Sequence, residues 1–204
     1  MSNWTIPEDK QRFRWVTWLT TSRIPMSIAF AVWVTMGDPL AWPQMLGLLV
    51  LLTCIEISDG LDGHLARTWN VRSEWGAMLD PYSDSVSRLI VYFGLGQAAL
   101  VHPALILVMA LRDVSVSYCR ILLTKSGRSV AAMLSGKIKA VVQAVGAYAA
   151  LLSVYLPLLT TQENAPAIAR WTITLVVGAV TAWSVGQYAQ SALGSMGEDA
   201  GESQ

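Results

Sequence analysis

The chain has 204 residues, of which 53% are hydrophobic and only 14% are charged, and its 14 basic and 14 acidic residues cancel. Soluble domains carry about 25% charged residues, so this composition argues against an ordinary water-soluble enzyme. The apolar residues fall in long runs, as in helices that cross a bilayer. The sequence therefore predicts an all-α integral membrane protein, and we expect membrane lipid but no nucleic acid among its partners.

Six transmembrane helices are predicted in chain order. They cover residues 15–36, 42–66, 76–100, 103–123, 137–159 and 167–188. The breaks between them are a turn at Gly37-Asp38-Pro39, a stop at His102-Pro103 and two polar loops, 124–135 and 160–166. We find no internal repeat, so one helical domain, residues 15–190, accounts for the spans.

The two ends of the chain differ from this domain. Residues 1–14 place Trp4, Ile6 and Phe13 among basic residues, a pattern that favours a short N-terminal amphipathic helix lying along the membrane interface. A frayed tail is the alternative for that segment. Residues 191–204 are small, polar and acidic, which is typical of a disordered tail.

The basic residues predict the orientation. Thirteen of the fourteen Lys and Arg residues lie at the N-terminus or at the predicted helix ends that face it, and only Arg170 falls near the other side. Loops rich in Lys and Arg stay in the cytoplasm. We therefore expect both termini, and any site at these helix ends, to be cytoplasmic, as in a bacterial-type inner (plasma) membrane.

Four carboxylates lie at the cytoplasmic ends of predicted helices two and three. Asp59 and Asp62 are three residues apart, and Asp80 and Asp84 are four apart, so each pair shares one helix face. The connection is short, so we expect the two helices to be adjacent and antiparallel and the four side chains to converge. One charge at the centre of a membrane helix costs roughly 2.5–3.5 kcal/mol.

Divalent cations would remove that cost. Hard oxygen ligands at this density select Mg²⁺, Mn²⁺ or Ca²⁺ over Zn²⁺. Two ions sharing carboxylates form a clamp suited to phosphoryl transfer. Gly60, Gly63 and Gly76 flank the carboxylates, and a residue without a side chain lets a bulky ligand approach. Close packing of helices through small residues is the alternative for these glycines.

Spacing within residues 59–84 resembles the signature of the CDP-alcohol phosphotransferase family. Asp59 precedes, by three positions, a run that reads Asp62-Gly63, two residues, Ala66-Arg67, eight residues, Gly76, three residues, Asp80, three residues, Asp84. The resemblance extends over nearly the whole chain. It implies a CDP-diacylglycerol-dependent phosphatidyltransferase, a phospholipid-synthesis enzyme that joins a CDP-activated lipid to a small alcohol and releases CMP.

The resemblance also implies roles for individual residues. Asp59, Asp62, Asp80 and Asp84 match the ligands of two ions, Mg²⁺ or Mn²⁺, and Asp84 matches the catalytic base that takes the proton of the attacking hydroxyl. The positions that match residues bordering the CDP moiety are Asp62, Gly63, Ala66, Arg67 and Gly76. Whether Asp84 acts as base, ligand or both stays open at this point.

Basic residues near the cytoplasmic side suggest an anionic acceptor, because Arg suits bidentate binding of phosphate. The predicted acceptor pocket comprises Arg88, Arg112, Arg120, Lys137 and Lys139. Positive-inside anchoring is the alternative, and Arg88, one turn after Asp84, can instead pair with that carboxylate. Arg112 is explained poorly by anchoring, because it lies within a span.

Within the family the chain is most similar to the phosphatidylglycerophosphate synthase branch, which implies glycerol 3-phosphate as the acceptor. The similar elements are Leu19-Thr20 with Arg23, Arg112-Asp113 with Arg120, and Gly136-Lys137-Ile138-Lys139 with Gln143. Thr17, Asp113 and Ala140 depart from the pattern of the branch. Phosphatidylglycerol (as in cardiolipin synthases), inositol phosphate and serine therefore stay open as acceptors.

Intramembrane carboxylates also occur in ion and proton transporters. Transporters commonly have repeats or broken helices in related halves, and the sequence shows neither. An enzyme is therefore the preferred interpretation. By analogy with the family, a homodimer is a further hypothesis.

Overall fold

The computed structural model describes residues 9–38, 40–125 and 134–202, and within them the side chains of all residues except 120–125, 134 and 191–202. Over these ranges the fold contains helices and no strand. The helices are α1 Lys10–Met36, α2 Trp42–Thr68, α3 Glu74–Gln97, α4 Ala104–Lys125, α5 Leu134–Leu152, α6 Leu156–Leu159 and α7 Ala165–Glu202. A 3-10 turn, Ser153–Tyr155, joins α5 to the short α6.

The all-α prediction is confirmed over these ranges, and the six long helices fall where six were predicted. Two ends differ. Helix α1 begins at Lys10, so the part of the predicted interfacial segment that the structure describes is continuous with the first long helix. Helix α7 continues to Glu202, so the tail predicted as disordered is helical up to that residue. No proline follows Pro166, and Ala, Met, Gln and Glu favour helix.

Three helices in the described part of the chain are long and apolar enough to cross a membrane. They are Trp42–Thr68, Ser135–Leu159 and Ala165–Gln190. Helices α1, α3 and α4 carry charged residues in their interiors, including Arg23, Arg88 and Arg112. Three helices, α2, α5 with its continuation into α6, and α7, therefore support the prediction of a helical protein with membrane-crossing segments.

The chain divides into two compact units, Met1–Leu100 and Val101–Gln204. In the first unit, α1 packs against both α2 and α3. Phe30 and Leu95 are fully buried in its core. In the second unit, α7 packs against both α4 and α5, and Met109 and Leu151 are fully buried.

The backbones of α1 and α3 touch in the first unit. A Cβ added at Gly94 would lie 2.6 Å from the Cα of Ala31, closer than real Cβ atoms approach. Small residues at helix contacts are typical of membrane proteins because they let backbones approach. The sequence predicted that α2 and α3 would pack as adjacent helices, and this prediction was wrong: the two do not pack directly against each other, and α1 is the common partner of both.

Candidate active site

A short connection between α2 and α3 brings the ends of the two helices together. Ser73 begins α3 as its N-cap, and its Oγ accepts a hydrogen bond of 3.0 Å from the amide of Gly76. Asn70, in the same connection, has a φ of 53°, a conformation that Asn tolerates better than most residues. The result is that Asp59 and Asp62 at the end of α2 lie near the start of α3.

Arg23 of α1 holds the aspartates of the two helices together. Its guanidinium donates to Asp62 Oδ2 at 3.0 Å and to Asp80 Oδ1 at 2.8 Å, and it also pairs with Asp59. The Arg23 side chain is 1% exposed and that of Asp62 is 2% exposed. Thr20, one turn earlier on α1, donates to Asp62 Oδ2 at 2.8 Å.

The sequence did not predict Arg23 and Thr20 as members of this site. Two features of the sequence involved them without indicating a role in the site. Leu19-Thr20 and Arg23 resemble one branch of the family, and Arg23 contributes to the cytoplasmic excess of basic residues. Their partners lie 36 to 57 residues away in the chain, so local spacing could not reveal the contacts.

Asp84 belongs to a second group of charges beside the first. Arg88 Nε donates to Asp84 Oδ1 at 2.7 Å, as the spacing of four residues allowed. The same guanidinium lies 3.5 Å from Glu56 Oε2 and 3.9 Å from Asp59 Oδ2 on α2. The Arg88 side chain thus connects α3 to α2. The predicted site did not include Glu56.

The chemistry of these side chains fits a hard divalent cation. Five carboxylates face two guanidiniums, so negative charge is in excess, and Mg²⁺ and Mn²⁺ prefer carboxylate oxygen. No three His, Cys, Asp or Glu side chains among the described residues are arranged to hold a metal ion. Three of the carboxylates, those of Asp59, Asp62 and Asp80, pair with Arg23, so this group of side chains already stabilises one positive charge.

A cavity of about 260 Å³ opens beside these aspartates in the first unit. Its lining includes all five residues predicted to border CDP: Asp62, Gly63, Ala66, Arg67 and Gly76. The other lining residues come from α1, from the connection and from the start of α3: Phe13, Val16, Thr17, Thr20, Val71, Arg72, Ser73, Ala77, Leu79 and Asp80. The α1 wall of this cavity and Arg72 are additions to the predicted set.

Gly63 faces open space, since a Cβ added there would meet no atom within 4 Å. Gly63 therefore does not serve close helix packing. Gly60, one turn earlier, is also open but does not line the cavity. At Gly76 a Cβ would lie 3.3 Å from Ser73 Oγ, so that glycine leaves room for the cap of α3.

Buried polar side chains also gather in the second unit, and we call them the second-unit polar cluster. Its members are Arg112, Asp113, Ser135, Lys139, Gln143, Thr181 and Ser184, each at most 8% exposed. Asp113 Oδ1 accepts from Arg112 at 2.8 Å and from Lys139 at 3.1 Å. Arg112 Nε donates to Ser184 Oγ at 3.0 Å, and Gln143 donates to Thr181 at 3.1 Å.

The predicted acceptor residues are therefore placed differently from one another. Arg112 and Lys139 are together in the second-unit polar cluster, whereas Lys137 is exposed. Arg88 lies in the first unit with Asp84. The side chain of Arg120 lies outside the described part of the structure.

Comparison with known proteins identifies relatives of this chain. A family model described as CDP-alcohol phosphatidyltransferase matches residues 16–183. A Salmonella choleraesuis protein named CDP-diacylglycerol–glycerol-3-phosphate 3-phosphatidyltransferase is 32% identical over 192 residues, 91% of this chain and 98% of its own length. A Mycoplasma genitalium protein of the same name is 29% identical over 144 residues, 63% of this chain and 61% of that protein.

A Bacillus subtilis protein of that name is 31% identical over 103 residues, half of this chain and 53% of its own length. The family model covers most of the chain and includes all four predicted metal-binding aspartates. The resemblance noted in the sequence is thereby confirmed. The chain belongs to the CDP-alcohol phosphatidyltransferase family.

Proposed function

We propose that the chain transfers a phosphatidyl group from CDP-diacylglycerol to glycerol 3-phosphate, giving phosphatidylglycerophosphate and CMP. The cavity beside the aspartates carries this proposal, because every residue predicted to border CDP lines it. The names of the Salmonella, Mycoplasma and Bacillus relatives support both the lipid donor and the acceptor.

Asp59, Asp62, Asp80 and Asp84 would hold two divalent cations, Mg²⁺ or Mn²⁺. When bound, such ions neutralise the charge of the pyrophosphate and of the transferred phosphoryl group. The excess of carboxylates over guanidiniums around Arg23 and Arg88 supports this assignment.

The chain's own residues then perform the proton transfer and stabilise the leaving group. A hydroxyl of the acceptor forms a bond to the β-phosphorus of CDP-diacylglycerol, the bond from that phosphorus to the bridging oxygen breaks, and CMP leaves. Asp84 accepts the hydroxyl proton. Arg88 donates to one oxygen of Asp84 and so fixes the orientation of the carboxylate. Arg67, in the lining of the cavity, stabilises negative charge on the phosphates.

Arg112 and Lys139 of the second-unit polar cluster are the best candidates for the cations that bind the acceptor phosphate. Both are more than nine-tenths buried, and a buried guanidinium binds phosphate more strongly than an exposed one. Arg88, Arg120 and Lys137 stay as further candidates for this pocket.

We also propose that all six long helices cross the membrane, with the termini and the site on the cytoplasmic side. Helices α1, α3 and α4 have 27, 24 and 22 residues. At 1.5 Å per residue each is longer than the ~30 Å hydrocarbon core. Large apolar side chains on them are exposed, including Trp33, Phe93 and Leu111, which suits contact with lipid. An interfacial segment at the N-terminus, continuous with α1 from Lys10 onward, and a homodimer complete the proposed architecture.

The test is Mg²⁺-dependent release of CMP from CDP-diacylglycerol by the purified protein, with glycerol 3-phosphate, inositol phosphate, serine and phosphatidylglycerol compared as acceptors. We expect release with glycerol 3-phosphate alone, lost in EDTA. Asp84→Asn should lower the rate roughly 10²- to 10⁴-fold, the contribution typical of a general base. Asp38→Asn, an exposed carboxylate on the turn after α1, is the matched control.

Release with a different acceptor would keep the chemistry and replace glycerol 3-phosphate. Absence of release with all four acceptors, in folded protein that binds Mg²⁺, would refute the proposed activity.

A further inference from the structure

One wall of the cavity in the first unit belongs to α1 and follows two turns of that helix. Phe13, Val16, Thr17 and Thr20 all line the cavity. Residues three, four and seven positions apart share one face of a helix, so these four form a continuous strip. At 1.5 Å per residue, Phe13 and Thr20 are about 10 Å apart along the helix axis. The cavity therefore has two distinct ends.

The end at Thr20 lies beside the carboxylates, because Thr20 donates to Asp62 Oδ2 at 2.8 Å. The end at Phe13 lies where α2 finishes. The guanidinium of Arg12, the residue before Phe13, is 5.8 Å from the ring centre of Trp69, the residue directly after α2. The cavity thus extends from the proposed metal ligands towards the connection between α2 and α3.

The two parts of CDP-diacylglycerol leave its diphosphate in opposite directions. The diphosphate belongs at the carboxylates, and on this point the inference rests on the proposed function. From Asp62, one direction along α2 leads into its apolar stretch, where exposed Leu46, Val50 and Ile57 suit contact with acyl chains. The other direction leads along the cavity to Phe13. The nucleoside of the donor therefore lies at the Phe13 end.

Phe13 is the one aromatic residue among the described residues that line the cavity. Its side chain is half-buried, so it is partly packed against the protein and partly accessible. Aromatic side chains bind nucleobases by stacking, and every base has a face that can stack. We propose that Phe13 stacks on the cytosine base of CDP-diacylglycerol and is a binding residue for the lipid donor.

Stacking differs from a role in the cavity wall alone. A side chain that only shapes the wall affects every ligand that enters the cavity. A side chain that stacks on cytosine affects only ligands that contain a base. Two probes that differ in the base therefore distinguish the two roles.

The experiment measures Kd for CDP and for inorganic pyrophosphate, by titration calorimetry of the purified protein in detergent with Mg²⁺. Pyrophosphate keeps the diphosphate and lacks the base. Phe13→Ala should weaken binding of CDP roughly ten- to a hundredfold, the loss typical of a base stacked on an aromatic side chain. The Kd for pyrophosphate should change less than twofold. Calorimetry also gives the number of competent sites, so a partly unfolded variant still yields its Kd.

Phe13→Tyr keeps the ring, and its Kd for CDP should stay within twofold of the wild type. Trp15→Ala is the matched control. It also removes an aromatic side chain from the start of α1, but Trp15 is 59% exposed and does not line the cavity. Its Kd for CDP should likewise stay within twofold of the wild type.

Equal weakening of both probes in Phe13→Ala would show that Phe13 only supports the cavity wall. Unchanged binding of CDP would show that Phe13 does not contact the base. Either result would overturn the inference and leave the proposed function in place, provided that the wild type releases CMP from CDP-diacylglycerol. A wild type that neither binds CDP nor releases CMP would remove the proposed function and this inference together.

Discussion

Arg23 and Asp62 form a buried ion pair between α1 and α2, with 3.0 Å between Nη2 and Oδ2 and both side chains at most 2% exposed. The same guanidinium contacts Asp80 on α3. One side chain of the first helix therefore connects the two helices that carry the predicted metal ligands. A pair this deeply buried is strongly coupled to folding, because removal of one partner leaves the other charge unpaired.

Arg23→Gln should destabilise the protein measured without metal. Asp62 would lose its buried cationic partner, and such a loss costs about 3–5 kcal/mol of the free energy of unfolding. Arg12→Gln is the matched control, since Arg12 pairs with Asp9 at the exposed start of the same helix. Exposed pairs contribute about 0–1 kcal/mol. Chemical unfolding in detergent with EDTA measures both, and equal losses would contradict the role of Arg23.

Addition of Mg²⁺ should stabilise the wild type, because a ligand that binds only the folded state adds about 2.7 kcal/mol at a hundred times its Kd. Asp80→Asn should reduce the gain, since it removes a proposed ligand. Arg23→Gln should increase it, because Arg23 and a metal ion require the same carboxylates. Thermal unfolding across a Mg²⁺ series gives these gains. Identical gains in all three proteins would mean that the ions bind elsewhere.

Gly63→Leu should impair binding of the lipid donor without unfolding the protein. The site of its Cβ is open, and Gly63 lines the cavity, so the new side chain would occupy space needed by CDP. We expect KM for CDP-diacylglycerol to rise roughly tenfold, a loss of 1.4 kcal/mol. KM for the acceptor should be nearly unchanged.

Gly60→Leu is the control for this change, because Gly60 lies on the same helix in equally open space but outside the cavity lining. Its effect on the same KM should be less than twofold. Equal effects at both positions would indicate that α2 as a whole, and not the cavity, was disturbed.

Arg112→Lys should raise KM for glycerol 3-phosphate. Arg112 donates from Nε to Ser184 and from Nη1 to Asp113, and an ammonium group cannot reproduce this planar arrangement. Loss of one net hydrogen bond of about 1.4 kcal/mol corresponds to a tenfold rise. Steady-state kinetics with each substrate varied in turn gives both KM values. A rise only in KM for CDP-diacylglycerol would place Arg112 with the donor and not with the acceptor.

The sequence predicted the helices and the carboxylates because both follow from local spacing. Asp59 and Asp62 share a helix face whatever the tertiary structure is, and so do Asp80 and Asp84. The pairing of Arg88 with Asp84 was visible for the same reason, as one of two interpretations. Five residues were predicted from family resemblance to border CDP, and all five line one cavity in the first unit.

Contacts between distant residues could not be predicted in this way. Arg23 looked like one more basic residue of the cytoplasmic side, and only the fold brings it to Asp62, 39 residues later. Thr181 and Ser184 are ordinary residues for a membrane helix, so nothing in the sequence indicated their contacts with Gln143 and Arg112. The end of α7 was missed because a small, polar composition suggested disorder where alanine and glutamate also allow helix.

The contact between Gly94 and Ala31 has a consequence for how this kind of enzyme can change. Two helices that touch through their main chains keep a fixed separation, and no rotamer change alters it. Helix α3, which carries Asp80 and Asp84, is therefore held against the helix of Arg23 by backbone packing. Side-chain substitutions can therefore change the chemistry of the chain while the separation of α1 and α3, and with it the position of Asp80 beside Arg23, stays the same.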